Sequence, residues 1–95
     1  MARPQHLFVF AYDVARDRDR AKLAELVGKR ADRVQQSVFE GRMTLPEARR
    51  LAETAAMLLG PDDSLRVYCV TEEARRVSIA IGGAPIAEAH EFWLL

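Results

Sequence analysis

Leu7-Phe8-Val9-Phe10-Ala11-Tyr12-Asp13-Val14 is the segment that most constrains this fold, because the residues facing both ways along it are apolar. Side chains alternate between the two faces of a strand, so a run that is apolar on both faces needs cover on both sides and a central place in a sheet. The one acid in the run, Asp13, stands near its C-terminal end. A carboxylate there has a backbone fixed by the strand and a following loop that leaves it open to solvent or a ligand. Alone it is a poor metal site, since Mg2+ wants a full shell of oxygens, commonly one or two carboxylates completed by waters and phosphates. Its partner ligands have to come from elsewhere.

The rest of the chain supplies a compact alternation of elements without linker, repeat or low-complexity stretch. Asp17 is placed to cap a helix running to about Lys29, with Leu23, Leu26 and Val27 on its inner stripe. Residues 32–43 carry too many β-branched and aromatic residues at alternating positions for a helix, and read as one bent strand or two short ones in a tight hairpin, with Gly41 as a candidate bulge. Thr44-Leu45-Pro46-Glu47 fits a capping box, and Ala48, Leu51, Ala52, Ala55, Leu58 and Leu59 then recur at helical spacing until Gly60-Pro61 stops the helix. Leu65 to Val70 reads as a half-exposed strand, Thr71 to Arg76 as a polar connection, and Val77, Ile79 and Ile81 as a further strand before the Gly82-Gly83 break.

Strand, helix, one or two strands, helix, strand is the order of a ferredoxin-like α+β fold, βαββαβ, an antiparallel sheet with both helices on one face. Residues 1–83 form that domain. Residues 84–95 are a tail whose apolar end, Glu91-Phe92-Trp93-Leu94-Leu95, reads as an extra C-terminal strand. The expectation is that it adds to the sheet of a partner subunit, protecting an edge and locking a two-fold homodimer with Trp93 as an interface anchor; the alternative is an edge strand folded back within its own subunit.

At 95 residues the chain holds one core and not two, and help from a second copy suits a domain of this size. No apolar stretch approaches the roughly 20 residues of a membrane span, and the start lacks the form of a secretory signal, so a cytoplasmic location is expected and no membrane partner. The single cysteine, Cys69, reads as a small core residue, and His6 and His90 are isolated. Net charge is zero but unevenly spread: residues 14–50 carry ten Lys or Arg against six Asp or Glu, whereas residues 51–95 carry three against seven. Such a split describes either solvated helix faces or one basic, phosphate-binding face.

Tyr12-Asp13-Val14 at the end of the apolar strand, Asp17, Arg18 and Arg20 opening the first helix, Arg33-Val34-Gln35-Gln36-Ser37-Val38-Phe39-Glu40-Gly41, and Ser64-Leu65-Arg66-Val67-Tyr68 together resemble the small CRISPR-associated "Cas-two" family of the adaptation complex. The resemblance covers roughly Leu7 to Ile81. It implies a ferredoxin-like homodimer acting in spacer acquisition, either as a metal-dependent endonuclease on RNA or DNA or as a non-catalytic bridge that binds duplex DNA within the CRISPR integrase.

It also implies roles for residues. Asp13 becomes the catalytic and metal-binding residue, paired with its copy across the dimer axis to hold Mg2+, with Mn2+ as the alternative ion. Arg18, Arg20 and Arg33 become nucleic-acid contacts, with Lys22 a weaker candidate; Tyr12, Ser37 and Phe39 support the site, Ser37 as a hydrogen-bond donor near the metal and Phe39 through packing or stacking. Hydrolysis would leave a 5′-phosphate and a free 3′-hydroxyl. The chain departs from the family pattern after Tyr-Asp-Val, carrying Ala15 and Arg16 where many relatives place a Ser or Thr and then a second acid.

Overall fold

A computed structural model describes residues 3–89. Its elements run β1 (Gln5–Asp13), α1 (Asp17–Gly28), β2 (Asp32–Gln35), β3 (Val38–Thr44), α2 (Leu45–Ala56), β4 (Ser64–Val70) and α3 (Glu72–Arg76). The first six form the βαββαβ unit. Its four strands lie in the order β2-β3-β1-β4 with every neighbouring pair antiparallel, the ferredoxin-like arrangement.

β1 is central, as its two apolar faces require. Phe8, Phe10 and Tyr12 point to the helix side and are buried there with Leu23 and Val27 of α1 and Ala48, Leu51 and Ala55 of α2. On the opposite face Leu7 is buried while Val9 and Ala11 are half-buried. Residues 32–44 resolve into two strands joined at Gln36-Ser37, and the register slips between Arg33 and Gln35. The irregularity therefore lies in β2, not at Gly41, which pairs in register with Phe8. Gly41 serves close approach instead: a Cβ there would sit 2.9 Å from the Arg30 carbonyl oxygen and 3.0 Å from Ala31 Cα, so α1's exit can pass directly over β3.

The capping box at the start of α2 forms as the residue types demand. Thr44 Oγ1 accepts from the Glu47 amide at 3.3 Å, and the Thr44 amide donates to Glu47 Oε1 at 2.9 Å. Glu47 also pairs with Arg30 at the end of the α1 connection. The Thr44 amide first, then Arg30, hold the Glu47 carboxyl at about 2 against an ordinary 4.5. A depressed carboxylate pKa adds stability that is complete above the unfolded value and lost as pH falls through the folded one. The stability advantage of the native chain over Glu47→Gln is accordingly expected to be constant above pH 4.5 and to vanish between pH 4.5 and about 2, as read from paired thermal melts across that range.

Several local expectations are corrected. α1 begins at Asp17, but its N-cap is Arg16 with no side-chain cap, and Asp17 instead pairs with Arg20 one turn on. α2 ends at Ala56, short of Gly60-Pro61, and Leu58 and Leu59 pack against the core from a turn. The segment 71–76 is a short helix capped by Thr71. Val77, Ile79 and Ile81 form no strand; they are at least 80% exposed. Cys69 is exposed because β4 is an edge strand, although Phe8 opposite it is buried. α3 is tied to the sheet by Arg42, which donates to Glu72 and to the Ala87 carbonyl, both at 3.1 Å; Arg75 also binds Glu72. The expected C-terminal strand, with Trp93 and His90, lies outside the described residues.

Candidate functional site

Strand alternation divides the predicted site residues between two faces. Tyr12 and Val14 turn toward the helices and are buried, so Asp13 between them turns to the other face, where it is exposed at the end of β1 opposite Ser64 of β4. Its position at the strand end is what keeps the carboxylate accessible. Among the described residues no group of three or more His, Cys, Asp or Glu side chains lies close enough to share a metal ion. The exposed Asp13 carboxylate is a hard oxygen donor, suited to Mg2+ or Mn2+ by its chemistry, and among the described residues it belongs to no cluster of three or more such ligands.

On the helix side, Tyr12, Arg20, Arg33 and Ser37 line a common cleft of about 530 Å3 between α1 and the β2–β3 turn, together with Ala21, Ala24 and Gln36. The Tyr12 amide donates to the Ser37 carbonyl at 3.1 Å, which closes the strand end over this cleft. Phe39 lies beneath it, 2% exposed, stacked on Tyr12 with ring centroids 6.1 Å apart and covered by the Arg33 guanidinium at 5.5 Å. Phe39 is therefore a core ring that carries Arg33 on its face. The Tyr12 hydroxyl is buried without a partner among the described residues.

The two cleft arginines are largely committed to the fold. Arg20 Nη1 donates to the carbonyls of Val14 and Ala15, each at 2.8 Å, and its other nitrogen pairs with Asp17. Arg33 donates from Nε and Nη2 to the Gln36 carbonyl at 3.0 and 2.6 Å, which sets the β2–β3 turn. Arg18 and Lys22, in contrast, are exposed on α1, and among the described residues neither enters an ion pair. Asp63, in the turn that leads into β4, is marked by no motif in the sequence. Its Oδ1 accepts from the Ala15 amide at 3.0 Å and its Oδ2 from the Gly60 amide at 2.7 Å. These two bonds, Ala15 first, lower the Asp63 pKa from its ordinary value.

The placement of an exposed Asp at the end of a central ferredoxin-like strand, beside an Arg-Val-Gln-Gln-Ser-Val-Phe-Glu hairpin, meets an independent finding. A family model described as CRISPR associated protein Cas2 matches residues 6–77. The chain belongs to the Cas2 family. Among its relatives, the CRISPR-associated endoribonuclease Cas2 4 of Rhodospirillum rubrum is 32% identical over 98% of this chain and 76% of its own length. The CRISPR-associated endonuclease Cas2 2 of Thermus thermophilus is 34% identical over 96% of this chain and 98% of its own. Among solved structures, a chain of a partial Cas6-RT-Cas1–Cas2 complex superposes with a TM-score of 0.76 at 29% identity, covering 95% of this chain and 99% of that one. The Cas2 match takes in β1 to α3, and so includes Asp13, the cleft and Asp63.

Proposed function

We propose that this Cas2-family chain acts as a homodimer whose two Asp13 carboxylates, brought together across a two-fold axis, support divalent-metal-dependent hydrolysis of phosphodiester bonds in RNA or DNA during CRISPR spacer acquisition in the cytoplasm. The observation that carries this reading is the exposure of Asp13 on the sheet face away from α1 and α2. A second copy docked on that face supplies the carboxylate that a single chain lacks. The face has the apolar content for such docking: Val9 and Ala11 are half-buried, Tyr68 of β4 is about half exposed, and the exposed Ile79 and Ile81 line a common groove with Val38 and Glu40 of β3. Mg2+ or Mn2+ at the pair would neutralise phosphate charge and make a water more acidic. Arg33, seated on Phe39, and Arg18 and Lys22 on α1 are the cations placed to meet the nucleic-acid backbone; Arg20 acts chiefly by shaping the loop after Asp13.

A second reading has its own support. The superposed relative comes from a Cas1–Cas2 assembly, and the loop after Asp13 carries Ala15 and Arg16 rather than a second acid. In that reading the dimer holds duplex DNA for an integrase subunit and cuts nothing. One experiment separates the two: RNA and duplex DNA substrates are incubated with the purified chain in Mg2+, in Mn2+ and in chelator, with binding measured alongside. The hydrolase reading expects cleavage with either ion and none in chelator. Binding of duplex DNA that persists in chelator, without cleavage in either ion, would establish the bridge instead.

A further inference from the structure

The loop that leaves Asp13 is held almost wholly through its backbone. Ala15 has both of its main-chain polar groups engaged by side chains from elsewhere: its amide donates to Asp63 Oδ1 at 3.0 Å, and its carbonyl accepts from Arg20 Nη1 at 2.8 Å. Asp63 in turn uses its second oxygen to hold the Gly60 amide at 2.7 Å, so one carboxylate ties the β1–α1 loop to the turn that enters β4. The next residue, Ser64, is the register partner of Asp13 itself. Asp63 thus braces the surroundings of Asp13 on two sides: it bonds the loop two residues downstream and it precedes the residue that pairs with Asp13 in the sheet. A carboxylate suits this task because it offers two acceptors and asks for no donor, and an amide side chain has only one oxygen to give.

We infer that Asp63 is a positioning residue for Asp13, fixing the direction in which the exposed carboxylate leaves the end of β1 by clamping the Ala15 and Gly60 amides. The inference rests on the reading of Asp13 as a metal-binding carboxylate. Groups that orient a metal ligand typically change affinity or rate by about 10–100-fold when removed, because a ligand that wanders loses the geometry the ion requires.

The test uses the full chain in two arms. Without metal, amide exchange at Ala15 and the carboxyl-carbon resonance of Asp13 are followed by NMR in the native chain, Asp63→Ala and Asp63→Asn. Exchange at Ala15 is expected to rise about tenfold or more in Asp63→Ala, with a displaced or broadened Asp13 signal. Asp63→Asn, which keeps one acceptor, is expected to fall between. In the cleavage arm, the Mg2+ concentration giving half-maximal rate rises about tenfold in Asp63→Ala while KM for the nucleic acid stays within twofold. Thr44→Ala serves as the structural control, because it removes the cap at the opposite end of the sheet, opposite Gln5: it lowers the melting temperature and moves none of these readouts.

An Asp63→Ala chain that matches the native one at Ala15 and Asp13, or that changes only as Thr44→Ala does, overturns the inference. Should Asp63→Ala not fold, Asp63→Asn decides by the same readouts, and native values there overturn it equally. A native chain that fails to cleave in Mg2+ refutes the proposed activity, and the metal-free arm then judges the clamp by itself.

Discussion

Asp13→Asn is expected to lower metal-dependent cleavage by about 100-fold or more while leaving dimer mass unchanged and the melting temperature no lower than that of the native chain. The substitution keeps the shape of the side chain and removes the charge on which a hard cation depends. It carries no packing cost, since Asp13 is exposed and among the described residues its carboxylate enters no ion pair. Its absence would relieve like-charge repulsion between the two copies, so a small gain in stability without metal is consistent with the same arrangement. Dimers with one native and one substituted chain, purified through two different tags, sharpen the result. If the two carboxylates form one site, these mixed dimers fall close to the doubly substituted level; if each acts alone, they keep half the rate. Native rates in the doubly substituted dimer would trace the cleavage to another site or to a contaminating nuclease.

Phe39→Ala is expected to destabilise the fold by about 3–5 kcal/mol, a large part of the 5–15 kcal/mol typical of a whole domain. The ring is 2% exposed, stacks on Tyr12 and supports Arg33, so its loss opens a cavity under the cleft and releases a cation that the sheet holds in place. The measurement is urea unfolding, compared with Phe39→Leu, which keeps most of the apolar volume and should cost about 1–2 kcal/mol. Nucleic-acid affinity separates packing from stacking. A base stacked directly on Phe39 would contribute about 1–3 kcal/mol to binding, a loss the leucine variant would show in full. Because the ring is covered by protein on both faces, Phe39→Leu should bind nucleic acid within twofold of the native chain.

What was legible in the sequence followed from local chemistry. The two-faced apolar run of β1 dictated a central strand, and Thr44 with Glu47 dictated the start of α2, because each requirement is met within a few residues of itself. Gly41 was misread because a glycine in a strand signals either a bulge or a close crossing, and only the path of Arg30 and Ala31 overhead decides which. Cys69 was misread because alternation tells which face a residue takes and not how far the helices reach across the sheet. The alternation of Val77, Ile79 and Ile81 suggested a strand, but a strand needs a neighbour, and no segment among the described residues pairs with it.

At the site, the sequence singled out the residues without their geometry. Tyr12 and Asp13 are adjacent in the chain and face opposite ways, and Arg20, read as a phosphate contact, spends its donors on Val14, Ala15 and Asp17. Asp63 could not have been picked out from Asp62 beside it, since which of two acids in a turn reaches a distant amide depends on the folded chain.

The clamp on Ala15 takes hold of main-chain atoms only, and that uncouples the shape of the loop from the identity of the side chains it displays. The side chain at residue 15 can be exchanged without touching the hydrogen bonds that hold the loop, whereas the positive charge of Arg16 bears on the Asp63 carboxylate that makes the clamp. Position 15 is then an open place on a fixed frame, where a side chain can be exchanged beside Asp13 while the fold stays the same.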